Sequence, residues 1–276
     1  MKIAYSGIEG AFAHIAAMHL YKGEELISYK SFREAYEAVE NGSCYAAVLP
    51  IENSFAGEVG QVTDLMFFGN LEIDRVYEME IVQNLLGIKG AKQEDIKKVI
   101  SHPQALGQCE GFLNDLNVEQ EEAVNTARAA RAVAQQNDIH LAAIASAETA
   151  KIYGLDILAP HINESKDNKT RFAVFKKKES IDIQTEKADG FILLFTVPNI
   201  AGGLAKAINI IGEYGFNMSI LRSRPTKSLA WNYYFYAEAE GDVTSIYGKE
   251  MLARLSFWCD KVKIVGQFYR ALEEEI

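Results

Sequence analysis

Residues 45–54 read Tyr-Ala-Ala-Val-Leu-Pro-Ile-Glu-Asn-Ser. Tyr45 to Leu49 is a short apolar run, and Pro50, which cannot donate to a sheet ladder, ends it. The run reads as a buried strand. Upstream, Ile3-Ala4-Tyr5 reads as another short strand, broken by Gly7 and Gly10, and Ala11 to Leu20 reads as a helix. Leu26 to Tyr29 makes a further strand. Ser31-Phe32-Arg33-Glu34 has the S-x-x-E form of a capping box, opening a helix that stops at Asn41-Gly42. Downstream, Gln61 to Phe68 predicts a helix. This β-α-β-α-β order predicts a mostly parallel sheet with helices on its faces. Such sheets bind ligands outside the carboxyl ends of their strands. Glu52, Asn53 and Ser54 stand at that end, although ordinary loop polarity explains them equally well.

The alternation continues with a long strand over Tyr77 to Leu86 and a short one at Val99-Ile100, which runs into Ser101-His102-Pro103. Gln104 to Leu116 reads as one helix, with Gln104 and Gln108 on one face at i, i+4. Asn125 can cap a helix from Thr126 to about Gln136. Leu141 to Ile144 is a strand, Ser146 to Tyr153 a helix closed by Gly154, and Thr170 to Phe175 a strand again. The polar stretch Lys176 to Gly190 then reads as a solvated linker. Beyond it the order changes. Phe191 to Val197, Phe216 to Leu221, Trp231 to Ala239 and Val262 to Phe268 read as strands, with helices over Leu204 to Tyr214 and Val243 to Trp258. That is the β-α-β-β-α-β ferredoxin-like unit.

Composition narrows the class. The 276 residues are 49% hydrophobic and 24% charged, which excludes a disordered chain, a collagen and a coiled-coil rod. The net charge of −10 makes nucleic acid and anionic membrane poor partners. Cys44, Cys109 and Cys259 form no C-x-x-C pair, and the five histidines show no metal-ligand spacing, so no metal is expected. No run approaches 18 apolar residues and no secretory apolar run opens the chain, so a soluble cytoplasmic protein is expected.

Several polar groups follow strands. Gly7-x-x-Gly10 can present backbone N–H groups to an anion, or serve as a plain βα turn. Ser101 can face a ligand or cap its helix. His102 has no second histidine near it, which favours a structural part. Ser146 again places a hydroxyl after a strand. Asn168-Lys169-Thr170-Arg171-Phe172 sets two cations and a hydroxyl at a strand entry, where Arg171 suits a carboxylate and Thr170 a hydrogen bond.

In order, the segments at 7–12 (GIEGAF), 50–54 (PIENS), 101–109 (SHPQALGQC), 125–130 (NTARAA), 142–146 (AAIAS) and 168–172 (NKTRF) resemble the prephenate dehydratase family, and the likeness spans nearly the whole chain. The resemblance implies an α/β fold: a two-lobed, periplasmic-binding-protein-like catalytic domain over 1–180, and a ferredoxin-like (βαββαβ) ACT regulatory domain over 190–276. The lobes are expected at 1–76 plus 156–180 and at 77–155. The implied reaction converts prephenate to phenylpyruvate, carbon dioxide and water, with no cofactor, in a monofunctional enzyme. In the family the threonine of T-R-F is the leading proton or hydrogen-bond donor, here Thr170. Arg171 is expected to add positive potential, with Asn53, Ser101 and Gln108 as polar groups of the site. Ser6, Ala11, Phe12, Ser54, Ser146 and Phe172 are expected at the substrate. Glu52 competes with Thr170 as donor, because burial would raise its pKa.

The ACT resemblance implies a homodimer or homotetramer that binds phenylalanine between paired domains. Gly202-Gly203-Leu204 and Ser223-Arg224-Pro225 stand where the family's two phenylalanine motifs lie. The chain departs from the pattern in reading Arg222 for the usual glutamate, which reverses the local charge, and Gly203 for the usual alanine. Two other readings share these features: arogenate dehydratase, the same chemistry on an amino-acid side chain, and a non-catalytic solute sensor, which the fold alone would allow.

Overall fold

The computed structural model describes residues 1–165, 167–181, 188–226, 233–268 and 270–271. The chain opens with β1 (Lys2–Ser6), α1 (Phe12–Leu20), β2 (Glu25–Tyr29), α2 (Phe32–Glu40), β3 (Ala46–Asn53), β4 (Gly57–Glu58), α3 (Gly60–Phe68) and β5 (Glu72–Glu80). A second group follows: β6 (Asn84–Gly87), β7 (Lys98–Ser101), α4 (Pro103–Gln108), α5 (Glu110–Leu116), β8 (Glu119–Glu122), α6 (Thr126–Gln136), β9 (Leu141–Ala145), α7 (Ala147–Tyr153) and β10 (Asp156–Ala159). Then come β11 (Lys169–Lys176), β12 (Gly190–Thr196), α8 (Gly203–Glu213), β13 (Met218–Pro225), β14 (Tyr233–Glu240), α9 (Ile246–Trp258), β15 (Lys261–Phe268) and β16 (Arg270–Ala271).

These strands make three sheets. The first runs β16-β5-β11-β3-β1-β2, with β4 hairpinned onto β3; the second runs β10-β6-β9-β7-β8; the third runs β13-β14-β12-β15. The parallel pairing expected at the amino end holds for β1, β2 and β3, but β11 lies antiparallel to both β3 and β5, so the first sheet is mixed. The third sheet is antiparallel throughout, as a βαββαβ unit requires. The two α/β lobes and the ferredoxin-like unit match the architecture expected from the sequence.

Three helix starts carry side-chain caps, and two of them, Ser31 and Asn125, are the caps expected from the sequence. Ser31 Oγ accepts from Glu34 N at 3.1 Å, Asn125 Oδ1 from Arg128 N at 2.8 Å and Ser146 Oγ from Thr149 N at 3.1 Å. The capping box at Ser31 is incomplete, because the Glu34 carboxylate accepts from Lys30 N instead.

The strand expected over 77–86 is two strands in two sheets. All of β5 lies in the first and β6 lies in the second, so the chain crosses between lobes at 81–83. It returns after β10, which belongs to the second sheet; the lobe bounds at 76/77 and 155/156 therefore shift by several residues. The helix expected over 104–116 breaks at Cys109, where φ is −118°. The linker begins later than expected. Lys176 is buried at the end of β11, and its Nζ pairs with Asp74 Oδ2 at 2.9 Å. Residues 182–187 of that linker, and Trp231 and Asn232 of the strand expected over 231–239, lie outside the described residues.

The third sheet is covered on both faces. Phe191, Leu193 and Phe195 pack toward α8 and α9. Ile192 and Leu194, with Tyr234, Tyr236 and Val265, join the core of the first lobe beside Val62 and Met66 of α3 and Val76 of β5. Burial on both faces explains why Phe-Ile-Leu-Leu-Phe is apolar without alternation. Two close approaches seal this junction. Phe67 stacks on Tyr234 with ring centroids 4.2 Å apart. A Cβ on Gly266 would lie well inside contact distance of the Ile73 backbone, so glycine alone lets β15 approach β5 this closely.

Candidate active site

A cavity of about 490 Å³ opens between the first two sheets. The first lobe contributes Ser6, Phe12, Asn53, Thr170 and Phe172, and the second contributes Gln83, His102, Gln104, Gln108 and Asn125. Thr170 and Asn53 sit opposite one another in the β11–β3 ladder. Both are largely buried.

Asn53 organises this end of the cavity. Its Oδ1 accepts from the backbone N–H groups of Phe55 and Ala56, each at 3.0 Å, and from Gln104 Nε2 at 3.1 Å. Two backbone donors on the oxygen fix which end of the amide is which. Its Nδ2 donates to Thr170 Oγ1 and Asn168 Oδ1, both at 2.9 Å, and to Lys169 O at 3.1 Å. An amide nitrogen only donates, so Thr170 Oγ1 is the acceptor there. The Thr170 hydroxyl proton is thereby left for another partner, on the cavity side.

The amide chain continues into the second lobe. Gln108 Oε1 accepts from Asn168 Nδ2 at 3.0 Å and from Gln83 Nε2 at 3.4 Å. Gln104 and Gln108 share a face of α4, as their spacing predicts, and both reach segments of the first lobe. Gln83 is buried, and its Oε1 has no partner among the described residues.

Positive potential has a different source from the one expected. The amino ends of α1 (Ala11, Phe12 and Ala13) and of α6 (Asn125 and Thr126) line the cavity. The N-cap of α1 is Ala11, which has no side chain to accept its free N–H groups. Such helix ends favour anions. Lys30 stands at the rim. In the Gly7–Gly10 turn, Gly10 N donates to His14 Nδ1 at 3.2 Å, and burial lowers the His14 pKa.

Arg171 lies outside the cavity. Successive strand residues face opposite ways, so Thr170 and Phe172 turn inward and Arg171 turns toward the C-terminal sheet. There it makes two parallel hydrogen bonds to Glu238 at 2.9 Å and a third to Glu52 at 3.1 Å. Burial alone would lower its pKa, but the two carboxylates hold it above the usual guanidinium range. Beside them, burial and the Glu238 charge push the Tyr236 phenol well up. Glu52 shares that outward face, held by Arg171 and Arg222, so it does not address the cavity as an acid.

The remaining expected residues divide. Ser6, Ala11, Phe12, Phe172 and Gln108 line the cavity. Ser101 does not: it is fully buried and donates to Ile144 O at 2.8 Å, tying β7 to β9. Ser54 clamps the returning crossover, donating to Asp167 O and accepting from Lys169 N, each at 3.0 Å. Ser146 caps α7 and borders a separate hinge cavity of about 210 Å³. Gly202, at φ 77°, makes the turn into α8, and Gly203 packs against Pro198 O. Leu204 sits at the edge of the C-terminal core. On β13, Ser223 and Pro225 are exposed, whereas Arg222 and Arg224 reach into the first lobe. Gln83 and Gln104 were not singled out as site residues from the sequence; a lone glutamine in the apolar run at 81–88 was the available signal.

Fold and cavity together define a two-lobed α/β enzyme with amide and hydroxyl groups converging on the cleft between its lobes. A family model described as prephenate dehydratase matches residues 3–180, and the chain belongs to that family. It is 34% identical over 277 residues to the prephenate dehydratase of Lactococcus lactis subsp. cremoris (strain MG1363), covering 97% of each chain. It is 33% identical over 280 residues to arogenate dehydratase/prephenate dehydratase 1, chloroplastic, of Arabidopsis thaliana, covering 96% of this chain and 71% of that one. Among solved structures, GqqA, described as a novel type of quorum quenching acylase, superposes with a TM-score of 0.90 at 28% identity over 98% of each chain. The prephenate dehydratase of Arthrobacter aurescens in complex with L-Phe superposes with a TM-score of 0.89 at 26% identity, over 100% of this chain and 92% of that one.

Proposed function

We propose that the chain converts prephenate to phenylpyruvate, carbon dioxide and water, with Thr170 as the donor at the departing ring hydroxyl. The observation that carries this reading is the Asn53-to-Thr170 hydrogen bond, which occupies one Thr170 lone pair and leaves its proton to give. As the ring carboxylate leaves as carbon dioxide, its bonding electron pair enters the ring. The ring becomes aromatic and the hydroxyl leaves with the electrons of its own C–O bond. A donor placed where that oxygen gains charge lowers the barrier. Threonine is a weak acid, so its part is hydrogen-bond stabilisation, with water the final product once a proton is taken up. The amino ends of α1 and α6 supply the potential for a dianion, in place of Arg171. Ile81, Phe172 and Ala105 keep that end of the cavity apolar, which strengthens each of these electrostatic effects.

Acyl transfer, the chemistry of the similar GqqA, would call for a nucleophile paired with a base. Thr170 is paired with an amide N–H, which favours the donor role. The C-terminal unit, over about 190–276, is read as an ACT domain that binds phenylalanine in a homodimer or homotetramer of a cytoplasmic enzyme. In this reading Ser223 and the Gly202-Gly203 turn are the free groups, because Arg222 and Arg224 are already paired.

Phenylpyruvate formation from prephenate, with and without phenylalanine, tests both parts. Thr170→Val is expected to lower kcat by about a hundredfold or more while substrate still binds. Normal turnover by Thr170→Val would remove the assignment. A higher kcat/KM on arogenate than on prephenate would move the substrate to the amino acid.

A further inference from the structure

Arg222 and Arg224 are two residues apart on β13, so their side chains leave the same face of the strand. That face meets the β3–β4 hairpin. Arg222 is ion-paired with Glu52, and Arg224 Nη1 donates to Glu58 Oε1 at 2.6 Å. Glu52 and Glu58 are cross-strand partners within the hairpin. Two arginines of one strand therefore grip both strands of a hairpin from the other domain. None of the four side chains is more than 29% exposed, which sets them apart from surface pairs of little energetic weight.

The hairpin turn lies between the two gripped carboxylates. It includes Asn53, which holds Thr170 Oγ1, and its Phe55 and Ala56 amides anchor the Asn53 oxygen. Ala56, Gly57 and Glu58 form part of the cavity wall. Arg224 also reaches α3, the next element in the chain, through Nε to Asp64 Oδ1 at 3.2 Å.

We propose that Arg222 and Arg224 are positioning residues for the cavity. Through Glu52 and Glu58 they hold the two hairpin strands in register, and with them Asn53 and the Thr170 hydroxyl. The inference rests on the reading of the cavity as the dehydratase site. Its consequence for control follows directly: a ligand that binds the C-terminal unit differently with the arginines paired and unpaired changes turnover without entering the cavity. The residue that departs from the family pattern, Arg222, is thus one half of this grip.

The test uses the full-length protein with Arg222→Gln, Arg224→Gln, the two Arg→Lys variants and Glu58→Gln. Each glutamine variant is expected to lower kcat about tenfold, with KM changed far less, as a small misplacement of the donor would. Arg224→Lys should recover most of the loss. Arg224→Gln combined with Glu58→Gln should be little worse than Arg224→Gln alone, since the contact that Glu58→Gln breaks is already lost there. Lys263→Met is the comparison. Lys263 Nζ bonds Met66 O and Gly69 O at the same domain junction without touching the hairpin, so this variant should lower stability and spare kcat.

Hydrogen exchange at the Phe55 and Ala56 amides gives a readout that needs no substrate. It should quicken in the glutamine variants and stay unchanged in Lys263→Met. Glutamine variants with lower melting temperature but unaltered kcat would overturn the proposal, and so would unaltered exchange. If either glutamine variant fails to fold, the matching lysine variant decides: wild-type kcat together with quickened exchange would also overturn it. Failure of the wild type to turn over prephenate would strike the functional reading, and the exchange measurement would still judge the grip.

Discussion

Both ends of the Asn53 carboxamide are occupied, one by the turn that follows it and the other by β11. Asn53→Ala is therefore expected to leave the Thr170 hydroxyl free to rotate and to lower kcat by about a hundredfold, a loss that single-turnover kinetics would place in the chemical step. Ser101 predicts the opposite pattern. Its buried hydrogen bond to Ile144 O contributes about 1 kcal/mol, so Ser101→Ala should lower the denaturation midpoint and keep wild-type kcat. Lys176 sets a larger scale. It faces the buried Asp74 carboxylate, and Lys176→Met would leave that charge with Arg75 Nε, at 3.3 Å, as its cationic partner among the described residues, so a loss of about 2–3 kcal/mol is expected, below that of a stranded charge and visible as a lower urea midpoint. Thr170, Asn53 and Gln108 were legible in the sequence because ordered motifs carried them. Arg171 was misplaced because a motif names a residue without naming the face it leaves from. That face depends on which strands flank β11, and on a carboxylate, Glu238, nearly seventy positions away.

Among the elements, α1 links the cavity to pH. Burial depresses the His14 pKa below its ordinary value of 6.5, so the folded protein holds a neutral imidazole that accepts from Gly10 N. Below about pH 6.5 the unfolded chain binds the proton more readily, and stability falls as pH drops through that range. Melting curves from pH 8 to 5 should show this decline, and His14→Gln should flatten it. Gly266 in β15 makes a steric prediction: Gly266→Ala should push the third sheet from β5 and cost about 1–3 kcal/mol in chemical denaturation. Helices were the more legible elements, because Ser31 and Asn125 declare their starts locally. The run 77–86 was not divided by the sequence reading, since Tyr77, Met79 and Ile81 alternate as a strand, Leu85-Leu86 is apolar, and the crossing at 81–83 is a tertiary event. β8 was invisible for the reverse reason. Glu119 to Glu122 is an exposed edge strand held by its parallel pairing with β7, and its side chains carry no apolar signal.

At the scale of the whole molecule, catalytic and C-terminal units share one core. Ile192, Leu194, Tyr234 and Val265 cover Val62, Met66 and Val76. A chain ending at residue 180 would expose that surface, so it should melt well below the full-length protein and bind hydrophobic dyes. An unchanged melting temperature for the shortened chain would contradict the shared core. The order of the C-terminal elements was readable from sequence, but this docking was not, because an apolar strand does not say which of its two covers is a helix and which another domain. β11 lies at the centre of this arrangement, with two interleaved tracks. Thr170, Phe172 and Val174 face the cavity and its adjoining core, whereas Arg171, Ala173 and Phe175 face the C-terminal side. Loss of the Lys169 codon, with Asn168 held in place, would exchange the tracks, sending the guanidinium into the cleft and the hydroxyl into the domain junction. No single substitution could mend that exchange, because several residues would meet the wrong neighbours together. Along this strand, what must be inherited intact is the spacing as much as the letters.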